Sequence, residues 1–214
     1  SYMRIGGVFQ DAPAEFWPAL RRILDDFPAY IDELEELITD NEIVTYRTKG
    51  VGAISGADAI NGSLTGPVLR ASGVSWDVRV AAPYDVYDRV TFDVPVGDTG
   101  DNYDRYLMRI REIRESLKIV EQCFAQIQPG PVRATNAMLF RPPPGESYVP
   151  IEAPKGELGF YLVSDGTIAP YRMHVRAPSL INLTLMKQML VGWKLADAIV
   201  SFGSLDVNMG EVDR

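Results

Sequence analysis

The strongest constraint on the fold is an apolar stripe that begins just after Asp101. Its members recur at steps of three and four, which is the spacing of one face of an α-helix. They are Tyr103, Leu107, Ile110, Ile113, Leu117, Val120, Phe124 and Ile127. Asp101 is a good N-cap, Asp104 lies where a negative charge favours the helix dipole, and Pro129 stops the segment. The pattern predicts a helix of about seven turns.

Charged residues cover the remaining faces of this predicted helix, many of them paired at helical spacing. We interpret them as local helix stabilisation worth a few tenths of a kcal/mol per pair. They are Arg105, Arg109, Arg111, Glu112, Arg114, Glu115, Lys118 and Glu121. Cys123 borders the apolar stripe, and we interpret it as a small core residue.

A second helical pattern covers residues 14–40, where Pro28 predicts a division into two helices that meet at an angle. Residues 42–96 lose this periodicity, and we expect them to contain at least one short helix at 56–64 and otherwise to pack against the body. A final helical stretch is predicted from a cap at Ser179 to Phe202, with Gly192 as a weak point.

A β-hairpin is predicted between the long helix and the final helix. Residues 159–163 and 171–175 have strand composition, and the Asp-Gly pair within 164–166 favours a tight turn between them. We expect residues 152–157 (EAPKGE) to organise this hairpin in a supporting role. The single histidine, His174, is interpreted as a strand residue without a chemical role.

Composition excludes several classes of function. The net charge of −8 and the scattering of basic residues argue against nucleic acid as a partner. One cysteine and one histidine cannot hold an iron–sulfur cluster, a structural zinc ion or a disulfide. No apolar run is long enough to span a bilayer, and the first residues lack the core of a signal peptide, so we expect membrane contact only through another subunit.

The last eleven residues, 204–214 (SLDVNMGEVDR), carry a dense set of ionisable groups directly after an apolar segment. Three interpretations are open for such a tail. Terminal residues are usually frayed unless something holds them in place. Alternatively, the tail is part of a site, or a cluster of salt bridges that only locks the chain end.

Six motifs occur in order from one end of the chain to the other. They are residues 47–52 (RTKGVG), 64–73 (LTGPVLRASG), 83–88 (PYDVYD), 100–106 (GDNYDRY), 152–157 (EAPKGE) and 210–214 (GEVDR). Together they resemble the C-terminal half of the D subunit family of NADH:quinone oxidoreductase, respiratory complex I, which is related to the large subunit of nickel–iron hydrogenases. The resemblance implies a single domain of mainly α, multihelical, hydrogenase-large-subunit-like fold, with a small antiparallel β-hairpin or sheet.

The resemblance also gives the tail a chemical meaning. The hydrogenase relatives end on Asp-Pro-Cys-x-x-Cys, whose thiolates hold nickel. Here Asp206 keeps the aspartate, Val207 replaces the proline, and Asn208 and Glu211 occupy the cysteine positions. A set of metal ligands without a thiolate does not hold a nickel–iron centre, so a hydrogenase function is disfavoured. By the same resemblance, the vacated pocket is used for quinone.

The residues that we expect to line or support this quinone site are Asp206, Asn208, Glu211 and Arg214, with Arg70 as a weaker candidate. Arg70 follows a Thr-Gly-Pro turn and could reach a buried charge, although an ordinary loop salt bridge explains it equally well. The resemblance implies that quinone is the substrate, and that NAD and the iron–sulfur clusters are held by other subunits, with none bound by this chain.

The implied partners are a small subunit with the terminal iron–sulfur cluster and a relative of the C subunit, at the cytoplasmic side of the bacterial plasma membrane. The histidine and tyrosine thought to protonate quinone in this family belong to its N-terminal half. We therefore expect the chain to be a fragment that does not reduce quinone unaided. The alternative function is a non-catalytic structural or assembly module of the peripheral arm.

Overall fold

The computed structural model describes residues 2–4, 6–134 and 141–213. Its helices are α1 (Phe16–Ile38), α2 (Glu42–Thr48), α3 (Gly56–Asn61), α4 (Gly66–Ala71), α5 (Val78–Ala81), α6 (Asn102–Gln126), α7 (Pro178–Leu183), α8 (Met186–Leu190), α9 (Leu195–Leu205) and α10 (Met209–Val212). Its strands are β1 (Met3–Arg4), β2 (Gly7–Val8), β3 (Gly145–Ala153), β4 (Gly156–Ser164) and β5 (Arg172–Arg176). The expectation of a mainly helical fold with a small antiparallel sheet is confirmed.

Helix α6 is the long helix that the apolar stripe predicts. Asp101 is its N-cap, and the carboxylate accepts a hydrogen bond from the backbone N–H of Asp104 at 2.8 Å. The other oxygen of Asp101 accepts from the backbone N–H of Gly50 at 2.7 Å. The cap therefore also fastens the end of α2 to the start of α6.

Helix α1 packs antiparallel to α6. Near the start of α1, Arg21 pairs with Glu121 at 2.5 Å and the Trp17 ring lies 6.1 Å from that of Phe124. At the end of α1, the hydroxyl of Tyr103 donates to the carbonyl of Thr39 at 2.9 Å. Contacts at both ends align the two helices along most of their length.

The prediction that Pro28 divides this segment into two helices is wrong, because α1 is continuous with Pro28 inside it. Leu24 and Ile31 are buried on either side of the proline, whereas the proline itself is exposed. Packing of both halves holds them in one helix despite the backbone hydrogen bond that proline cannot make.

The segment 42–96 contains more regular structure than its sequence predicts. The expected short helix is present as α3, and α2, α4 and α5 were missed. Helices of four to seven residues are too short to show a clear period, which explains the misses. This segment supplies much of the core, which comprises Ile54, Ala59, Leu64, Val68, Leu69, Met189 and Leu205.

Strands β3, β4 and β5 form one antiparallel sheet in that order. The predicted hairpin is present as β4 and β5, but the tight Asp-Gly turn is wrong, because the last pair of this ladder is Val163 with Arg172. The tight turn is instead at Pro154 and Lys155, since Ala153 of β3 pairs with Gly156 of β4. The motif at 152–157 is therefore itself a hairpin turn, and β3 was missed because its sequence includes Pro150.

The single helix predicted from Ser179 to Phe202 is also wrong, because the chain forms α7, α8 and α9 there. Gly192 adopts a φ of 89°, which is outside the helical region and ends the middle piece. Ala177, and not Ser179, is the N-cap of α7. The three short helices let the chain turn twice before the tail.

Candidate functional site

The tail packs against the body as far as it is described. Helix α10 lies on α7, and the Glu211 carboxylate accepts a hydrogen bond from the backbone N–H of Ser179 at 3.0 Å. The hydroxyl of Ser179 accepts from the backbone N–H of Asn208 at 3.2 Å. The Asn208 side chain caps α10 through the backbone N–H of Gly210 at 3.0 Å. Arg214 lies outside the described residues.

Asp206 occupies the junction between α9 and the tail. It is the C-cap of α9 in the left-handed conformation, with φ 54° and ψ 52°, which aspartate tolerates better than most residues. Its carboxylate accepts a hydrogen bond from Nζ of Lys155 at 2.5 Å, so the tail is bound to the β3–β4 turn. The same oxygen lies 3.9 Å from Nε of Arg109 on α6.

Two clefts of similar size meet at Arg109 and Asp206. The first cleft, of about 410 Å³, is lined by Pro67, Arg79, Arg109, Glu112, Ile113, Ser116, Glu152, Ala153, Pro154 and Asp206. The second cleft, of about 420 Å³, is lined by Val44, Thr48, Asn102, Tyr106, Arg109, Val200, Gly203, Ser204 and Asp206. Volumes of 300–1,000 Å³ are typical of sites for small molecules. Among the described residues of the predicted site, only Asp206 lines either cleft.

Arg70 lies beneath the first cleft and is fully buried, with a side chain that is 1% exposed. Its Nε donates to Glu112 at 2.6 Å and its Nη2 donates to Glu152 at 2.7 Å. Its Nη1 donates to the carbonyl of Trp76 at 2.9 Å and lies 3.5 Å from Asp77. Arg70 therefore orients two carboxylates of the cleft lining without reaching the cleft itself.

The pKa values of Glu152 and Asp77 shift in opposite directions. Burial raises the pKa of Glu152, and the charge of Arg70 offsets only part of that effect. Burial also acts to raise the pKa of Asp77, but hydrogen bonds and charge from Arg79 and Arg70 outweigh it and lower that pKa. Of these two carboxylates, Glu152 consequently takes up a proton more readily.

Two arginines of α6 do more than the local helix stabilisation that their spacing predicts. Arg105 is 0% exposed, and its guanidinium donates to the carbonyls of Gly100 and Gly52 at 2.6 and 2.7 Å. It also donates to the amide oxygen of Asn102 at 2.5 Å and the hydroxyl of Ser204 at 2.9 Å. Arg109 lies one turn further along the same face and lines both clefts. Their spacing of four residues is a signal of a shared face, but it does not say that other elements cover that face.

Other residues that the sequence singles out lie apart from the clefts. His174 is exposed on β5, and Cys123 is half-buried near the end of α6. Within the ranges that the structure covers, no group of three or more histidine, cysteine, aspartate or glutamate side chains is placed to hold a metal ion. None of the helices described there is long and apolar enough to cross a membrane.

Comparison with known proteins finds similarity over the whole chain. Residues 1–142 and 135–214 match the family described as respiratory-chain NADH dehydrogenase, 49 Kd subunit. The chain is 56% identical over 214 residues to the D subunit of NADH-quinone oxidoreductase from Dehalococcoides mccartyi. It is 49% identical over 222 residues to a D subunit of the same name, numbered 1, from Roseiflexus sp.. It is 44% identical over 239 residues to the mitochondrial NADH-ubiquinone oxidoreductase 49 kDa subunit of Neurospora crassa.

All of this chain is covered in each comparison, but only part of each relative is. The chain spans 58% of the Dehalococcoides protein, 59% of the Roseiflexus protein and 50% of the Neurospora protein. The clefts described above therefore correspond to one part of a longer protein in these relatives.

Proposed function

The chain belongs to the family of the 49 kDa subunit of respiratory-chain NADH dehydrogenase, and on that premise we propose that it forms one wall of a quinone site in an NADH:quinone oxidoreductase. Electrons from NADH reach this site through iron–sulfur clusters of neighbouring subunits, the last of them in a small subunit, in a reaction coupled to proton translocation. This chain binds none of those cofactors. Its helices follow the plan of the hydrogenase large subunit.

The observation that carries this proposal is the position of Asp206 at the junction of two clefts. A quinone headgroup needs apolar walls and a few convergent polar groups. Pro67, Ile113 and Pro154 supply apolar surface in the first cleft, and Glu152 and Arg109 supply polar groups. Quinone takes up two electrons and two protons on reduction to quinol, so titratable groups beside the ring serve the reaction.

The other candidate residues support the wall. Glu211 and Asn208 hold the tail on α7, and thereby place Asp206. Arg70 orients Glu112 and Glu152 from below. Arg214 lies outside the described residues and remains a prediction as a residue that lines or supports the site.

We place the assembled protein at the cytoplasmic side of the bacterial plasma membrane. The small subunit with the terminal cluster and a relative of the C subunit are its neighbours in this proposal. Membrane contact then runs through partner subunits.

The test is quinone reduction by the intact complex with Asp206→Asn in the full-length protein. Loss of a charged hydrogen-bonding group at the site lowers kcat/KM for quinone about 10- to 100-fold. NADH oxidation with hexacyanoferrate(III), which takes electrons before quinone, stays unchanged. Asp213→Asn is the matched control, because Asp213 is an exposed tail aspartate that lines neither cleft.

Glu211→Gln separates wall support from direct contact. We expect a smaller loss of kcat/KM than with Asp206→Asn, because Glu211 acts through the backbone of Ser179. Unchanged quinone turnover and unchanged inhibitor affinity in both variants contradict the proposed site.

A structural or assembly module is the second candidate function, and the surface of α1 favours it. Beside the seam with α6, α1 exposes a stripe of large apolar side chains, which are Phe16, Ile23, Phe27, Tyr30, Leu34 and Leu37. Contiguous exposed apolar surface is typical of an interaction site. If assembly is the only role, Tyr30→Ser with Leu37→Ser abolishes incorporation into the complex, whereas Asp206→Asn leaves both incorporation and turnover intact.

A further inference from the structure

Arg109 has an unmet hydrogen-bonding requirement. Its Nη1 donates to the carbonyl of Arg105 at 2.8 Å. Its Nε is buried and has no hydrogen-bond acceptor among the residues that the structure describes. A buried donor without a partner costs free energy, so nearly all such groups in folded proteins are satisfied by protein, water or ligand.

The nearest carboxylates do not meet this requirement because other cations hold them. Asp206 lies 3.9 Å from Nε of Arg109, beyond hydrogen-bond distance, and is bound by Lys155 at 2.5 Å. Glu112 is bound by Arg70 at 2.6 Å. Two cations, Arg109 and Lys155, therefore share one carboxylate at the cleft junction. An additional oxygen acceptor is favourable there, more so if it carries negative charge.

The surroundings of Arg109 restrict what can bring that oxygen. The side chain is about one quarter exposed, and it lines both clefts. Ile113, Pro67 and Pro154 border it on one side, and Tyr106 and Val200 border it on the other. A small molecule with an apolar ring and an oxygen at its edge matches this combination better than a hydrated inorganic anion.

We propose that Arg109 is a substrate-binding residue, and that its guanidinium donates a hydrogen bond to a carbonyl oxygen of the quinone headgroup. This assignment rests on the proposed function of the clefts and adds the group that recognises the substrate. The oxygen gains negative charge as the ring is reduced, so the hydrogen bond from a fixed cation strengthens along the reaction. Arg109 then contributes to turnover as well as to binding.

The experiment is steady-state quinone reduction by the intact complex with Arg109→Gln in the full-length protein. We expect kcat/KM for quinone to fall about 10- to 100-fold, with kcat falling as well as KM rising. Arg111→Gln is the matched control, because Arg111 lies on the same helix, is exposed and lines neither cleft. The kcat/KM of Arg111→Gln for quinone should stay within about twofold of the wild-type value.

A double variant with Asp206→Asn distinguishes substrate contact from a role that acts through Asp206. If Arg109 binds the quinone, Arg109→Gln still lowers kcat/KM in the Asp206→Asn background, although coupling between the two neighbouring groups changes the size of the factor. If Arg109 only holds Asp206, its replacement has no further effect once Asp206 is asparagine, and the assignment is overturned. Equal kcat and KM in Arg109→Gln and the wild type overturn it directly.

Arg109→Lys keeps the positive charge and removes the planar donor edge, and it serves if the glutamine variant does not assemble. We expect kcat/KM for quinone to fall about tenfold in this variant, with kcat and KM both affected. Full activity in this variant also overturns the assignment. If the Arg109 variants lose quinone turnover and Asp206→Asn does not, only the direct role of the tail is refuted. If Asp206→Asn loses turnover and the Arg109 variants do not, only the role of Arg109 is refuted.

Discussion

Arg70 and Glu152 lie 82 positions apart in the chain, and Nη2 of Arg70 donates to Oε1 of Glu152 at 2.7 Å. This bond joins α4 to β3 and passes directly beneath the first cleft. The shape of that cleft thus depends on an ion pair between two distant segments.

We predict that Glu152→Ala destabilises the protein by about 3 kcal/mol, because it leaves a buried guanidinium with one fewer partner. Glu152→Gln, which retains an acceptor oxygen, should cost less. The free energy of unfolding from urea titrations followed by circular dichroism measures both. Glu33→Ala is the control for an exposed α1 glutamate, and an equal loss there would show that the ion pair contributes nothing.

The lowered pKa of Asp77 predicts a dependence of stability on acid. In the unfolded chain this group titrates near 3.8, and in the folded protein below that value. The contribution of Asp77 to the free energy of unfolding is therefore complete above about pH 4, and it is lost as pH falls through the pKa of the folded state. Unfolding free energies measured from pH 6 down to pH 3 should decline less steeply in Asp77→Asn than in the wild type. Parallel slopes would contradict this assignment.

The raised pKa of Glu152 predicts that its contribution to stability changes with pH in the opposite direction. A carboxyl group that binds its proton more tightly in the folded state stabilises the fold most below its unfolded pKa of about 4.5. That contribution is lost as pH rises through the folded pKa. The stability of the wild type relative to Glu152→Gln should fall as pH is raised from 4 towards 7, in the same urea measurements.

Gly66 is expected to tolerate no side chain. Its φ is +67°, and a Cβ there would lie 2.4 Å from Cα of Gly156 in the β3–β4 turn. Gly50 has a similar φ of +72° but nothing within 4 Å, so it isolates the cost of the backbone conformation. Gly50→Ala should cost about 1 kcal/mol and Gly66→Ala clearly more, since backbone atoms must move. Equal losses of stability in the two variants, measured by thermal unfolding, would show that the close approach of Gly66 to Gly156 adds no cost.

Two isoleucines of α1 provide a matched test of its packing. Ile31 is 3% exposed against α6, whereas Ile23 is 55% exposed on the open stripe. Ile31→Ala should cost about 2–5 kcal/mol, and Ile23→Ala should cost well under that in urea unfolding of this chain. In the full complex, a large effect of Ile23→Ala on assembly would indicate that a partner covers the stripe.

The long helices could be predicted because their signal is local and repeated. The stripe from Tyr103 to Phe124 spans many turns, and Asp101 marks its start. The predictions from sequence failed where contacts between distant segments decide the local structure. Leu24 and Ile31 keep α1 continuous through Pro28, and the bond from Lys155 to Asp206 connects a turn to a tail 51 positions away.

The sequence by itself determined the helical periods, the excluded classes of function and the family resemblance, because these depend on residue types and on spacing along the chain. Tertiary structure alone decided which charges are buried. Arg105 and Arg109 resemble surface residues in sequence, yet two loops, at Gly52 and at Gly100, surround Arg105, and Arg109 lies between two clefts. A charge's surroundings depend on segments that are remote in sequence, and no local pattern encodes them.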